Sequence, residues 1–326
     1  MAPSGPGPAG EVDGRVARML PEWCEEWLGS PVATVLFEAG HLSTVVGVEL
    51  ADGRQVVVKV RPWEPRLQAC DAVHRHLWGL GFPCPRPLAE LTRVAGEAVS
   101  AEALVPGGDE LPSGGGTAEL FARLLARLVA AAPPPESLAS LDPPAPWLWG
   151  DHPGTALWPR ADDTDADLNA ATEPAWLDEM AAAVRARLRA SALPAVVGHG
   201  DWRRSNLRWS GPHPMVVHDW DSVVALPEPV IAGAAALSFP NDTDATTASV
   251  AECAVFLAAY AAARKRPWSP AELEVCWAAG LWVFAFNAKK ESLAGAAGGP
   301  MGERLRGEAA QRLRLAGCSP SHPSRR

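Results

Sequence analysis

The sequence lacks the features that would place it in a membrane, outside the cell or on nucleic acid. It has no run of about 18 apolar residues, and its N-terminus, MAPSGPGPAG, has neither the basic nor the apolar segment of a signal peptide. It has 29 basic and 38 acidic residues, a formal net charge of -9, and therefore no basic footprint for nucleic acid. We expect a cytoplasmic protein that binds neither membranes nor nucleic acid.

Cysteine pairs are also absent. The six cysteines are scattered, with no CxxC pair and no cysteine and histidine cluster at zinc-ligand spacing. This pattern suggests neither a disulfide framework nor a structural zinc site, and it predicts reduced thiols. The length of 326 residues allows one large domain or two ordinary ones, and nothing in the sequence indicates an oligomeric state.

The first third of the chain reads as a small β-rich unit. Both ends, residues 1–10 and 318–326, are rich in Pro, Gly or Ser, and we predict that they are disordered. Within residues 45–60, two β-branched runs flank an Asp-Gly turn, which predicts an antiparallel hairpin with Lys59 near its end. Helical spacing over residues 66–81 follows, and then a strand candidate at 97–105.

The rest of the chain reads as mainly helical. A Pro/Gly-rich stretch, PGGDELPSGGG, marks the predicted boundary, and apolar stripes at helical spacing follow it. Ser269, Pro270 and Glu272 form the capping signature of a long core helix. The predicted fold class is α+β, with a small antiparallel-sheet N-lobe (11–103) joined by a hinge to a larger, mainly helical C-lobe (104–317).

Two strand-like runs each end in acidic residues. In VVGHGDWRRSNLRW, Asp201 stands five positions before Asn206, and the run MVVHDWDS brings Asp219 thirteen positions after Asn206. An aspartate on a loop can accept the proton of a substrate hydroxyl, while an asparagine and a second carboxylate offer oxygen ligands to Mg²⁺. The same residue order occurs in the catalytic loop of protein kinases, which transfer phosphoryl groups.

The pair HGDWRRSN and VVHDWDS resembles the aminoglycoside phosphotransferase and choline kinase-like family, whose motifs read H-G-D-x-x-x-x-N and I-D-W-D/E. The resemblance implies a two-lobed protein kinase-like fold that transfers the γ-phosphoryl of ATP or GTP to a hydroxyl of a small molecule. It implies that Asp201 is the catalytic base, that Asn206 and Asp219 hold Mg²⁺, and that Lys59 binds the nucleotide phosphates.

The resemblance also implies a nucleotide site in the N-lobe. Its phosphate-covering loop would lie at residues 38–46, with Gly40, Ser43 and Thr44, and the backbone of Ala103 and Val105 would contact adenine.

The acid that pairs with Lys59 is expected in the helix after it, as Asp71, with Glu64 as the alternative. For Trp202, Arg203 and Arg204, two roles stay open, substrate binding and packing of the loop. Asp221 is interpreted as a cap or a brace for its loop.

Two other classes of function stay open. His199, Asp201, His213, His218 and Asp219 could belong to a metallohydrolase, although these residues include no H-x-H or H-x-x-x-H pair. A non-catalytic, kinase-like nucleotide-binding module is the other alternative.

The sequence indicates only the charge of the acceptor molecule. The stretch from Ala161 to Val184 carries seven acidic residues and no lysine or arginine. It predicts either a cationic acceptor, such as an aminoglycoside-like or other amine-bearing compound, or a solvated acidic surface.

Overall fold

The computed structural model describes residues 14–40, 42–171, 173–241, 246–293 and 299–318. Apart from Cys318, the predicted disordered ends lie outside these residues. The elements are α1 (Gly14–Leu28), β1 (Val32–Ala39), β2 (Thr44–Leu50), β3 (Gln55–Pro62), α2 (Arg66–Gly79), β4 (Thr92–Val94), β5 (Glu97–Ala103), α3 (Gly115–Ala131), α4 (Ala175–Arg189), β6 (Ala195–His199), β7 (Leu207–Ser210), β8 (His213–Val217), β9 (Val223–Pro227), α5 (Glu228–Ser238), α6 (Val250–Ala263), α7 (Pro270–Leu293) and α8 (Pro300–Leu315).

The N-lobe is an antiparallel sheet with strand order β1-β2-β3-β5-β4. The predicted hairpin is confirmed as β2 and β3, joined by a turn in which Gly53 has a φ of 85°. One face of the sheet is a layer of buried valines that α1 covers, a helix that we did not predict. Because side chains alternate along a strand, Lys59 and Arg61 lie on the opposite face.

The C-lobe packs its helices around two small antiparallel sheets, β6 with β9 and β7 with β8. The β6–β9 register pairs His199 with Val223, so the residues after β6 lie beside those before β9. The predicted capping box starts α7: the Ser269 N–H donates to the Glu272 carboxylate at 2.8 Å, and the Glu272 N–H donates to the Ser269 hydroxyl at 3.2 Å.

These features confirm the predicted α+β, two-lobed fold class. The strand β5 ends at Ala103, two residues before the end of the predicted strand, and the division into lobes at residues 103 and 104 stays a prediction. None of the helices within the described residues is both long and apolar enough to cross a membrane.

Helix α5 lies unusually close to α7. A Cβ atom added at Gly233 would stand 1.9 Å from the backbone oxygen of Cys276. Helix α5 also packs against β6, the strand that leads to Asp201, where the Ile231 side chain lies over Gly198.

We predict that Gly233→Ala forces α5 away from α7 and lowers the free energy of unfolding by about 1–3 kcal/mol. Gly307→Ala in α8 is the matched control, since an added Cβ meets no atom within 4 Å there. The control should leave stability unchanged or raise it by up to about 1 kcal/mol. Urea unfolding measures both values, and equal stability of Gly233→Ala and wild type would contradict the packing argument.

Candidate active site

The loop after β6 is held by a buried histidine. The Nε2 of His199 contacts the carbonyl oxygen of His218 at 3.1 Å, and its Nδ1 accepts the N–H of Asp201 at 3.2 Å. Since a backbone N–H can only donate, Nδ1 carries no proton and Nε2–H is the donor. The Gly200 N–H also donates to the carbonyl of Ser222 at 2.7 Å. His199 therefore organises the loop instead of presenting a ring nitrogen to a metal.

Asp201 and Asn206 lie in direct contact. The Nδ2 of Asn206 donates to the Asp201 Oδ2 at 2.8 Å and to its carbonyl at 2.9 Å, and the Arg203 Nε lies 3.0 Å from the same Oδ2. Burial raises the pKa of Asp201; Arg203 opposes this shift and the charge of Asp219 adds to it. A carboxylate with a raised pKa is a better proton acceptor, as a general base requires.

Asp219 lies at the lobe boundary in a left-handed conformation, with a φ of 67°. Its Oδ1 lies 2.6 Å from the Nζ of Lys59, and its Oδ2 accepts the Ser222 hydroxyl at 2.6 Å. Burial acts to raise the pKa of Asp219, but the charge of Lys59 and the side-chain hydrogen bonds with Asp221, Lys59 and Ser222 together outweigh burial and hold this pKa well below its ordinary value. The carboxylate is therefore ionised, as a metal ligand must be.

Lys59 bridges two carboxylates of the C-lobe. Its Nζ lies 2.6 Å from Asp219 and 2.6 Å from the Oδ1 of Asp221, whose other oxygen is paired with Arg61. Burial and the charge of Asp219 raise the pKa of Asp221. Asp221 thus does more than brace its loop, because it is the second acid of the lysine.

The predicted pairing of Lys59 with Asp71 or Glu64 is not found. Asp71 accepts the Nε of Arg75 at 2.8 Å, one turn further along α2, and Glu64 lies 3.5 Å from Arg61. The i,i+4 arginine holds Asp71 on the helix, while Lys59 reaches across to the loop at 219–221. A contribution of Asp71 to nucleotide binding stays a prediction that this geometry does not support.

The predicted phosphate-covering loop joins β1 to β2. Gly40 has a φ of 138°, and a Cβ added there would stand 1.8 Å from the carbonyl oxygen of Ser43, so only glycine fits this turn. Thr44 is the first residue of β2. The loop's sequence includes His41, which lies outside the described residues. Its phosphate contacts stay predictions.

The predicted adenine contacts lie where β5 ends. The N–H of Ala103 already donates to the carbonyl of Arg86 at 2.9 Å, and the N–H of Leu104 donates to Gln55 at 3.0 Å. Of the backbone groups of Ala103, only the carbonyl therefore remains to contact adenine, together with the backbone of Val105. These contacts also stay predictions.

The side chains fit a divalent cation of the kind that binds with a nucleotide. Asn206 uses its Nδ2 for Asp201, which leaves its Oδ1 as a ligand, and Asp219 offers an ionised carboxylate. Mg²⁺ takes one or two such oxygens and completes its shell with phosphate and water. Within the described residues no group of three or more His, Cys, Asp or Glu could hold a metal, so the geometry does not favour the metallohydrolase alternative.

A family comparison covers most of this site. The model of the family described as "Phosphotransferase enzyme family" matches residues 34–227, which run from β1 to the end of β9 and include Lys59, Asp201, Asn206 and Asp219. This match spans more than half of the chain. The chain belongs to this family of phosphotransferases. A search of curated proteins found no significant match.

Solved structures share the fold of this phosphotransferase. An amicoumacin kinase in complex with AMP-PNP and Ca²⁺ is 12% identical, with a TM-score of 0.62 over 96% of this chain and 98% of that one. A spectinomycin phosphotransferase in complex with ADP and spectinomycin is 12% identical, with a TM-score of 0.55 over 94% of each chain. An aminoglycoside phosphotransferase from Alicyclobacillus acidocaldarius is 14% identical, with a TM-score of 0.50 over 90% of this chain and 94% of that one. At these identities the likeness shows the fold.

The sequence analysis left the residues next to Asp201 open and missed others at this phosphotransferase's site. Trp202 is buried and donates to the carbonyl of Phe121 at 3.1 Å, so it packs the loop. Arg203 contacts Asp201, whereas Arg204 lies 3.5 Å from Glu110. The role of Arg61 was missed, although its two-residue spacing from Lys59 places both side chains on one face of β3.

Removing the lysine of the phosphotransferase should leave two carboxylates facing each other. We predict that Lys59→Met lowers the free energy of unfolding at pH 7 by about 2–4 kcal/mol, less than for a fully buried pair because all three side chains are partly exposed. In this variant the mutual repulsion raises the pKa of Asp219 and Asp221 above the unfolded values. The folded variant then binds more protons, and it gains stability as the pH falls from 7 to 5.

In the wild type, Asp219 should contribute to stability with the opposite pH dependence. Its depressed pKa stabilises the fold above the unfolded pKa, and this contribution is lost as the pH falls towards the folded pKa. Because this wild-type loss falls below about pH 5, the stability difference between Lys59→Met and wild type should shrink between pH 7 and pH 5 through the gain of the variant. Arg123→Met, which leaves Glu119 on α3 as a single carboxylate, is the control without a facing pair. A pH-independent difference in urea unfolding would contradict the prediction.

Proposed function

We propose that this protein transfers the γ-phosphoryl group of ATP or GTP to a hydroxyl of a small, amine-bearing molecule. The observation that carries the proposal is the meeting of four side chains at the lobe boundary. Lys59 lies 2.6 Å from Asp219, and Asn206 lies 2.8 Å from Asp201. A phosphate-binding cation, two oxygen ligands and a base are the parts that phosphoryl transfer requires.

Each side chain has one part in the proposed reaction. Lys59 neutralises phosphate charge, and Asp219 and Asn206 would hold Mg²⁺, which supplies further charge neutralisation when bound. Asp201 accepts a hydrogen bond from the acceptor hydroxyl, aims the hydroxyl oxygen at the γ-phosphorus and takes the hydroxyl proton as that oxygen bonds to phosphorus. The bond from phosphorus to the β–γ bridging oxygen breaks in the same step, and the nucleoside diphosphate leaves. Most of the rate then comes from positioning and electrostatics.

Charges near the phosphate-covering loop support a cationic acceptor. Asp162, Asp163 and Asp165 line a cavity of about 510 Å³ together with Leu42 from that loop. The fully acidic stretch expected from the sequence is reduced here, because Asp163 is paired with Lys290 and Asp165 lies 3.6 Å from Arg160.

Within the described part of the chain, Asp162 is the cavity aspartate without an ion-pair partner. Asp162 is an exposed residue, but partial burial of its carboxyl group raises its pKa, and a bound amine would favour the ionised form. Asp162 is thus the acid that we propose for acceptor binding.

A donor and acceptor screen tests the proposed function. Purified protein with Mg²⁺ and either ATP or GTP is incubated with alcohols of differing charge, and phosphorylated products are detected by mass spectrometry. An amine-bearing alcohol phosphorylated in this way supports the proposal. Nucleotide binding without transfer to any acceptor would favour the non-catalytic alternative, and donor preference follows from the same experiment.

With an acceptor in hand, we predict that Asp201→Asn lowers kcat by about 10² to 10⁴-fold, because the amide cannot accept the proton. Nucleotide affinity should stay unchanged. Asp52→Asn is the matched control: it also turns a carboxylate into an amide, but at a residue paired with Arg54 in the turn between β2 and β3. It should change neither kcat nor nucleotide affinity. Near-normal turnover of Asp201→Asn would remove Asp201 from the role of base.

For the acceptor, we predict that Asp162→Asn raises KM by about 10-fold with little change in kcat, as expected for the loss of one charge-assisted contact. Glu179→Gln removes an exposed charge from the same acidic stretch without lining the cavity, so it should leave KM unchanged. Added salt should raise the wild-type KM and affect Asp162→Asn less. An unchanged KM in Asp162→Asn, or an anionic acceptor, would contradict this assignment.

A further inference from the structure

Helix α2 forms hydrogen bonds with the backbone of the segment that carries Asp219. The guanidinium of Arg66, at the start of α2, donates from Nη1 to the carbonyl of Asp221 at 3.0 Å and from Nη2 to the carbonyl of Val223 at 2.7 Å. Its Nε also lies 3.4 Å from the carbonyl of Leu141. Arg66 is 7% exposed, so these bonds form away from solvent.

A second contact joins the same two elements. The imidazole of His74 stacks on the indole of Trp220, with ring centroids 4.9 Å apart and an angle of 6° between the planes. The indole Nε1 of Trp220 donates to the carbonyl of Val217 at 2.9 Å, and the His74 Nε2 contacts the carbonyl of Pro85 at 2.9 Å. Trp220, between the two aspartates of the motif, therefore anchors the segment to α2.

Burying the charged guanidinium of Arg66 costs free energy, which is offset where its hydrogen bonds fix one conformation of the chain. Within the described residues Arg66 forms no ion pair, and its charge is balanced by carbonyl dipoles alone. The segment that it holds begins with Asp219, whose positive φ costs free energy for a residue other than glycine, although aspartate adopts it more readily than most, so the contacts around it help to hold it. The side chain of Asp219 is held by Lys59 and Ser222, and the backbone just after it is held by Arg66.

We propose that Arg66 is a positioning residue for the metal ligand Asp219. By fixing the carbonyls of residues 221 and 223, it keeps residue 219 in the left-handed conformation that presents its carboxylate towards Asn206 and Lys59. This inference rests on the proposed function for its metal, but its effect on the backbone exists in the metal-free protein. The role of Arg66 also explains what α2 does although it supplies no acid to Lys59. Helix α2 holds the loop, and the loop supplies Asp221.

The test compares Arg66→Met with a matched control in the full chain. Arg185→Met is the control, because Arg185 is also buried and also donates to two carbonyls, those of His152 and Gly154 in the C-lobe. Arg66→Lys is a second variant that keeps the charge and guards against misfolding of Arg66→Met. A single ammonium does not reproduce the planar fork that spans two carbonyls, so this variant should be intermediate.

The first readout is hydrogen exchange of peptides that cover residues 217–223 in metal-free protein. Losing bonds from a charged donor should speed exchange there by about tenfold or more in Arg66→Met, while Arg185→Met leaves this segment unchanged. The second readout is the tightening of AMP-PNP binding by Mg²⁺, measured by calorimetry. Arg66→Met should reduce that tightening by about tenfold, the lower end of the range for residues that orient metal ligands, with Mg²⁺-free binding unchanged.

The outcomes separate the inference from the proposed function. Unchanged exchange at 217–223 in both Arg66 variants, or an equal increase in Arg185→Met, would overturn the inference. Full Mg²⁺-dependent tightening in Arg66→Met would also overturn it. A wild-type protein whose AMP-PNP binding does not respond to Mg²⁺ would instead contradict the proposed function, and Arg66 would then have no metal ligand to position.

Discussion

The ammonium of Lys59 between the carboxylates of Asp219 and Asp221 is the interaction on which the candidate site depends. The lysine comes from the sheet of the N-lobe and both acids come from one C-lobe loop. Charges removed from water are tolerated only when they are paired, so this contact constrains how the lobes meet. It also keeps Asp219 ionised although burial favours its neutral form.

The loop that carries these acids is fixed from both sides. On one side, β6 pairs with β9 and the N–H of Gly200 binds the carbonyl of Ser222, which ties the loop to the segment that holds Asp201. On the other side, Arg66 and His74 of α2 hold its backbone and its tryptophan. A site assembled from separate segments needs such supports, because a displacement of 1 Å between reacting groups costs much of the rate.

The acidic stretch shows how packing changes an electrostatic argument. Counting charges from Ala161 to Val184 suggests a strong negative field. In the fold, Lys289 is buried against Asp178 and Lys290 pairs with Asp163, so two of those charges are neutralised by α7. These lysines follow their partners by more than a hundred residues. What is left near the phosphate-covering loop is a smaller and more specific feature centred on Asp162.

The sequence by itself determined the elements and motifs that depend on near neighbours. The Asp-Gly turn predicts the β2–β3 hairpin, the capping box predicts the start of α7, and the five-residue spacing brings Asp201 to Asn206, because each rests on local geometry. Tertiary structure alone decided the partners of the charged groups. Lys59 meets its acids at separations of 160 and 162 residues, while Asp71 is held by an arginine four residues away. Periodicity reports which face a side chain occupies, but only the packing of the lobes determines what lies opposite that face.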